Sequence, residues 1–221
     1  MSVDIIALIV KATGQTLYMV AVAGLIGSLF GIPLGVFLAT SGRGELCPAP
    51  SVNKGLGLIV NATRSTPFII LVVAIIPFTR LVAGTSIGTT AAIVPLTIAT
   101  IPFVARLVET AIREVDPGLT EAARAMGASP MQIVFKVLLA EARPGIASAL
   151  TLTIVSLIGY AAMVGAIGGG GLGDLGIRYG YQRFMPDVMA VVVVVLIVLV
   201  QLVQSGGDRL ARQFDKRSRP R

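Results

Sequence analysis

Glu121, Gly127, Ser129 and Pro130 are residues whose types and spacing suit docking into a partner rather than bond-breaking. Thr120 can cap a helix that starts at Glu121, which sets that carboxylate in the positively polarised first turn. Gly127 has the backbone freedom needed at the C′ position to end it. Ser129 and Pro130 then restart a helix as cap and first residue, and Gln132 completes a capping box with Ser129. The pattern predicts helix, tight turn, helix, a short polar knob in a chain that is otherwise apolar. Such a knob suits a partner's cleft. The same spacing also fits an ordinary amphipathic connector.

Catalytic chemistry has little to work with. The chain has no histidine and one cysteine, Cys47. That excludes a His/Cys metal site, an intramolecular disulfide and the histidine-based triads. Cys47 reads as a passive thiol in a loop. The glycine-rich run at 168–173 formally contains GxGxxG. A dinucleotide site needs a strand before that motif, whereas an apolar helical run precedes it here. No GxxxxGK[ST] occurs, so the chain does not hydrolyse ATP through a P-loop. No catalytic residue, metal or cofactor of its own is expected.

The elements that must hold the knob are membrane spans. Of the 221 residues, 55% are hydrophobic and 13% charged, and the mean hydropathy is +0.88. Soluble domains carry about 25% charged residues. Lys11 is followed by an uncharged run over 12–42, about twice the length of a signal peptide's apolar region, so this run reads as a first spanning helix rather than a leader. About 20 apolar residues cross a bilayer, and five segments qualify: 16–39, 67–82 (with a start as early as 57), 86–104, 146–167 and 188–204. The expected fold is an all-α integral membrane protein of five spans. Residues 1–15 form an extracytoplasmic segment, 16–207 the transmembrane domain with a loop at about 113–143, and 208–221 a basic tail.

Charge fixes the sides. With the 113–143 loop inside, fourteen of the eighteen basic residues are inside: Arg43, Lys54 and Arg64, then Arg106, Arg113, Arg124, Lys136 and Arg143, then Arg209, Arg212, Lys216, Arg217, Arg219 and Arg221. Lys11, Arg80, Arg178 and Arg183 remain outside. The positive-inside rule favours this arrangement, with the N-terminus outside and the C-terminus in the cytoplasm. It also explains the net charge of +7 without nucleic acid. The tail can meet anionic headgroups or be simply solvated.

Within the spans, Gly27, Gly31 and Gly35 recur every four residues, a stripe that lets another helix approach closely. Packing within the subunit is the favoured use, a dimer seam the other. Pro33, Pro77, Pro95 and Pro102 make the first three spans irregular, which is tolerated where protein or a water-filled path covers the freed carbonyls. The spans themselves read as free of charge, which argues against an ion-coupled carrier. Ser156, Tyr160 and Met163 share a helix face at i, i+4, i+7 and are available to line a path for an apolar solute, although helix packing uses the same residues. Gly168 and Gly170, at the outer end of the fourth span, suit a gate or a docking surface. Tyr179, Tyr181 and Phe184, with Arg178 and Arg183, follow as an aromatic belt or as contacts to an external partner.

The segment from Glu121 onward resembles the EAA loop of bacterial ABC-importer permeases, whose pattern is Glu-Ala-Ala, three residues, Gly, nine residues, Ile, one residue, Leu-Pro. Glu121, Ala122, Ala123 and Gly127 fall in register, Val137 stands for Ile, and Leu139 matches. Ala140 replaces the proline, and Pro144 follows four residues later. Arg64-Ser-Thr-Pro-Phe, the stretch around Val115-Asp-Pro-Gly, and Ile167-Gly-Gly-Gly-Gly-Leu-Gly-Asp are similar to the permease subunit of methionine importers. The resemblance implies a type I importer permease fold in the bacterial inner membrane. It implies a homodimer, two cytoplasmic ABC ATPases that bind Mg-ATP, and an extracytoplasmic substrate-binding (lipo)protein, all in contact with membrane lipid. The ATPases would be received at Glu121, Ala122, Ala123, Arg124, Met126 and Gly127, and the cargo would be D- or L-methionine or a close analogue. Another amino acid or an oxyanion is the alternative cargo. An ion-coupled carrier and an intramembrane enzyme are the rivals from other classes.

Overall fold

The computed structural model describes residues 3–214. Lys216, Arg217, Arg219 and Arg221 of the expected tail lie outside the described residues. α1 is one helix over Val3–Thr40, longer at its start than the expected span. Its first turns are held because Ile9 and Ala12 are buried with Leu172, Leu175, Val188 and Val192 at the far end of the chain's path. The glycine stripe packs within the subunit, against α5 (Thr89–Arg113). A Cβ at Gly31 would stand 2.7 Å from the Val104 Cβ and 2.9 Å from the Ile101 carbonyl oxygen, and one at Gly27 would overlap Thr100. Small residues here let two helix backbones touch, where dispersion rather than hydrophobicity holds helices together.

The second span departs most from expectation. It is three helices, α2 (Pro50–Ser65), α3 (Phe68–Ala74) and α4 (Ile76–Ala83), with a bend of 104° between the first two. The break has a local cause. Thr66 is extended at φ −82°, ψ 126°, as a residue before proline prefers, and Pro67 has no N–H to continue the ladder. α2 therefore begins well before residue 57. Its start is pinned to the end of α1, where the Asn53 Nδ2 donates to the Leu38 carbonyl at 2.8 Å and to the Ser41 Oγ at 2.9 Å.

Chain order continues with α6 (Pro117–Ala125) and α7 (Pro130–Gln132), which runs through a π-helical stretch (Ile133–Leu138) into α8 (Leu139–Glu141). α9 (Arg143–Val164) is the fourth span and ends in a π turn, followed by the short α10 (Gly171–Leu175), a second π stretch (Gly176–Tyr181) and α11 (Pro186–Phe214). Among the described residues four helices are long and apolar enough to cross a membrane, and the bent pair α2–α3 brings the number to five. The all-helical fold of five spans expected from sequence is the one found when the bent pair counts as one span. The central core joins Met19, Ala23, Val72, Leu96 and Leu157. A second core at one end joins Val104, Val108, Ile112, Ala123, Ile133 and Val134, and that end also carries Arg106, Arg113, Arg124, Lys136 and Arg143.

Candidate functional site

The knob is built as predicted at its turn and differently at its start. Gly127 has φ +79°, and the Ser129 Oγ and the Gln132 backbone form the capping box, with the Gln132 Oε1 accepting from the Ser129 N–H at 2.9 Å. The first helix begins at Pro117, not at Glu121. Its cap is Asp116, whose Oδ1 accepts from the Gly118 N–H at 2.8 Å, so Thr120 is inside the helix and is not a cap. Asp-Pro is the stronger start signal, because proline at the first helical position loses nothing by lacking an N–H. Glu121 consequently sits beyond the first turn and has no capping duty. Ala123 is buried under the knob against the Val108–Ile133 core, while Glu121, Ala122, Arg124, Met126 and Gly127 are exposed. Met126 is 81% exposed, an apolar side chain offered outward. One small buried residue anchors the hairpin, and its outer surface is left for contact.

The same end of the subunit holds a charge cluster on α5. α5 continues past residue 104, so Arg106, Glu109 and Arg113 are on the spanning helix itself. Glu109 is buried; its Oε2 is 2.6 Å from the Arg106 Nη1 and its Oε1 is 3.1 Å from the Arg113 Nη2. Arg106 also donates to the Asn61 Oδ1 on α2 at 2.7 Å. The i, i+3 and i, i+4 spacing of these charges was the available signal.

The residues expected to line a path divide into two groups. Tyr160 is half-buried and stacks on Phe68, with centroids 4.4 Å apart and planes 19° apart. It lines a cavity of about 120 Å³ with Thr63, Arg64, Thr66, Phe68, Leu71, Ala99 and Phe103. Ser156 is half-buried and Met163 exposed, and neither lines that cavity. The spans are therefore not bare of charge, because the bend at residues 65–67 brings Arg64 beside Ala99, near the middle of α5, instead of leaving it in a connector. Gly168 and Gly170 are at the other end, with φ +97° and +80°. The Gly168 carbonyl accepts from the Gly88 N–H at 2.9 Å, and the Gln15 and Thr16 side chains of α1 accept from the N–H groups of Gly171 and Leu172 at 3.0 and 2.9 Å. A second cavity of about 270 Å³, lined in part by Val72, Ile87, Pro95, Val164 and Gly169, lies at this end. In the aromatic group Arg183 stacks over Tyr179 at 4.5 Å, and Arg178 pairs with Asp174 at 2.7 Å.

Residues 31–220 match the model of the binding-protein-dependent transport system inner membrane components. The chain belongs to this family. It is 58% identical over 210 residues, 95% of this chain and 93% of the relative, to a probable D-methionine transport system permease protein of Vibrio cholerae serotype O1. It is 50% identical over 165 residues, 75% of this chain and 76% of the relative, to the D-methionine transport system permease protein of Escherichia coli K12. The structure superposes with a TM-score of 0.95, at 49% identity and over 98% of this chain and 100% of the other, on a chain of the MetNI methionine ABC transporter solved in an inward-facing conformation. Its fold is that of the importer permeases.

Proposed function

We propose that this chain is the membrane-spanning subunit of an ATP-driven importer for methionine, of D or L configuration or both. The near full-length identity of 58% to a probable D-methionine permease carries the substrate reading. The chain works as a homodimer in the bacterial inner membrane, with the knob end and most of the basic residues in the cytoplasm and the glycine-rich end facing out. Two ABC ATPase subunits bind and hydrolyse Mg-ATP, and the permease has no cofactor of its own. Each ATPase takes the exposed face of one knob, through Glu121, Ala122, Arg124 and Met126, with Ala123 as its buried anchor. ATP-driven closure of the ATPases moves the two knobs together. The packing of α6 on the π stretch, with Ala123 in the core shared with Val108 and Ile112, passes that motion to the spans. The outer glycines at 168 and 170 act as a gate, and a substrate-binding (lipo)protein delivers the solute there. Lipid covers the exposed apolar side of α11.

The knob is tested by its turn. A Cβ at Gly127 meets nothing within 4 Å in this chain, so within the subunit substitution acts on the backbone. A β-branched residue is a poor occupant of positive φ, and asparagine is a tolerated one. Gly127→Val is expected to lose co-purification of the ATPase from membranes, whereas Gly127→Asn retains it in the one-to-one ratio of the unaltered chain. One-to-one recovery and coupled transport with valine would reduce the knob to a connector. Glu121→Ala is expected to leave α6 intact, since Asp116 is its cap.

A further inference from the structure

The cavity at the bend of the second span is furnished for a zwitterion. Its wall has one cation, Arg64, and no carboxylate. Among the described residues no ion pair or side-chain hydrogen bond engages that guanidinium. Arg64 is exposed on the isolated subunit, and it faces this cavity beside Ala99 and Phe103 of α5. Thr63 and Thr66, also in the wall, donate their hydroxyl protons back to the carbonyls of Ile59 at 3.0 Å and Ala62 at 3.2 Å. Their remaining lone pairs are acceptors, the complement of an ammonium group. The rest of the wall is soft and apolar, the stacked Phe68 and Tyr160 with Phe103 and Leu71. A thioether gains from aromatic edges at about 5 Å.

We infer that Arg64, Phe68 and Tyr160 hold the amino-acid solute during its passage, with the carboxylate on the Arg64 guanidinium, the ammonium on the Thr63 and Thr66 hydroxyls, and the side chain against the Phe68–Tyr160 pair. This rests on the methionine reading given above. The site is also tied to the knob end. Asn61, one turn before Arg64 on α2, accepts from Arg106, which pairs with Glu109 on α5. Motion of the end of α5 is thereby transmitted to the bend.

The test uses the whole importer, this permease with its own ATPase and binding protein, in proteoliposomes with ATP. Loss of a charge-assisted contact predicts that Arg64→Gln lowers uptake of labelled methionine by about tenfold or more. Arg64→Lys recovers part of the uptake. In the unaltered complex, a diazirine analogue of methionine is expected to crosslink to the segments bearing Phe68 or Tyr160, and excess methionine suppresses the crosslink. Should Arg64→Gln fail to assemble, the crosslink in the unaltered complex decides. Full uptake by Arg64→Gln, or crosslinks confined to other segments, overturns the site while methionine import stands. Absence of methionine uptake by the unaltered complex instead removes the reading on which the site rests.

Discussion

Gly35→Val is expected to prevent the chain from accumulating as a folded protein, at a cost of about 3 kcal/mol or more. A Cβ at Gly35 would lie 2.5 Å from the Ala105 carbonyl oxygen and 2.8 Å from the Val108 Cβ. Both neighbours belong to the body of α5, and a carbonyl oxygen cannot rotate away as a side chain can. The helices must separate, and α1 and α5 form the largest packed pair of the subunit. Gly14→Val on the same helix is the control, since a Cβ there meets nothing within 4 Å. Thermal unfolding in detergent, followed by size-exclusion profile, should place Gly14→Val near the unaltered chain and Gly35→Val far below it. Equal profiles would mean that the stripe is not a packing surface.

The second large effect concerns the buried Glu109. Its side chain is 7% accessible, against 32% for Arg106 and 53% for Arg113. The arginines can retain water, but the carboxylate cannot. Arg106→Met with Arg113→Met strands that charge, at a cost of about 3–5 kcal/mol. Adding Glu109→Leu removes the stranded charge and should recover part of the loss. The triple variant still lacks the Arg106–Asn61 bond at 2.7 Å, so recovery in stability is expected without recovery in transport. A triple variant no more stable than the double one would show that the arginines act through packing and not through charge.

Much of this arrangement was legible in the sequence where a residue's backbone preference or size decides the structure by itself. Gly127, Ser129, Pro130 and Gln132 form a turn and a capping box that depend on a few adjacent residues, and they form as the spacing predicts. The stripe at Gly27, Gly31 and Gly35 was likewise readable as an intrasubunit contact, because a first helix with one small-residue face must bury it. Asp116-Pro117 carried a stronger cap signal than Thr120. It was masked because a helix start at either place fits the same following residues.

The bend at residues 65–67 was harder to see. A hydropathy window averages across Thr66 and Pro67, whereas the angle depends on how α3 packs against α5 and α9. For the same reason Arg64 read as a connector residue, although the polar run from Asn61 to Thr66 before a proline held the signal of a broken span. The π stretches at Ile133–Leu138 and Gly176–Tyr181 have no local mark in residue type. They follow from tertiary packing, and Gly180 shows the pressure, since a Cβ there would stand 2.8 Å from the Met189 Cβ.

The family and the fold are those of a methionine ABC-importer permease. The most direct measurement is uptake of labelled methionine by vesicles carrying this permease with its own ATPase and binding protein, with and without ATP. Accumulation is expected only with ATP, and it should be lost with Gly127→Val. Accumulation of a sugar or an oxyanion in place of methionine, or methionine entry driven by an ion gradient without ATP, would contradict the account.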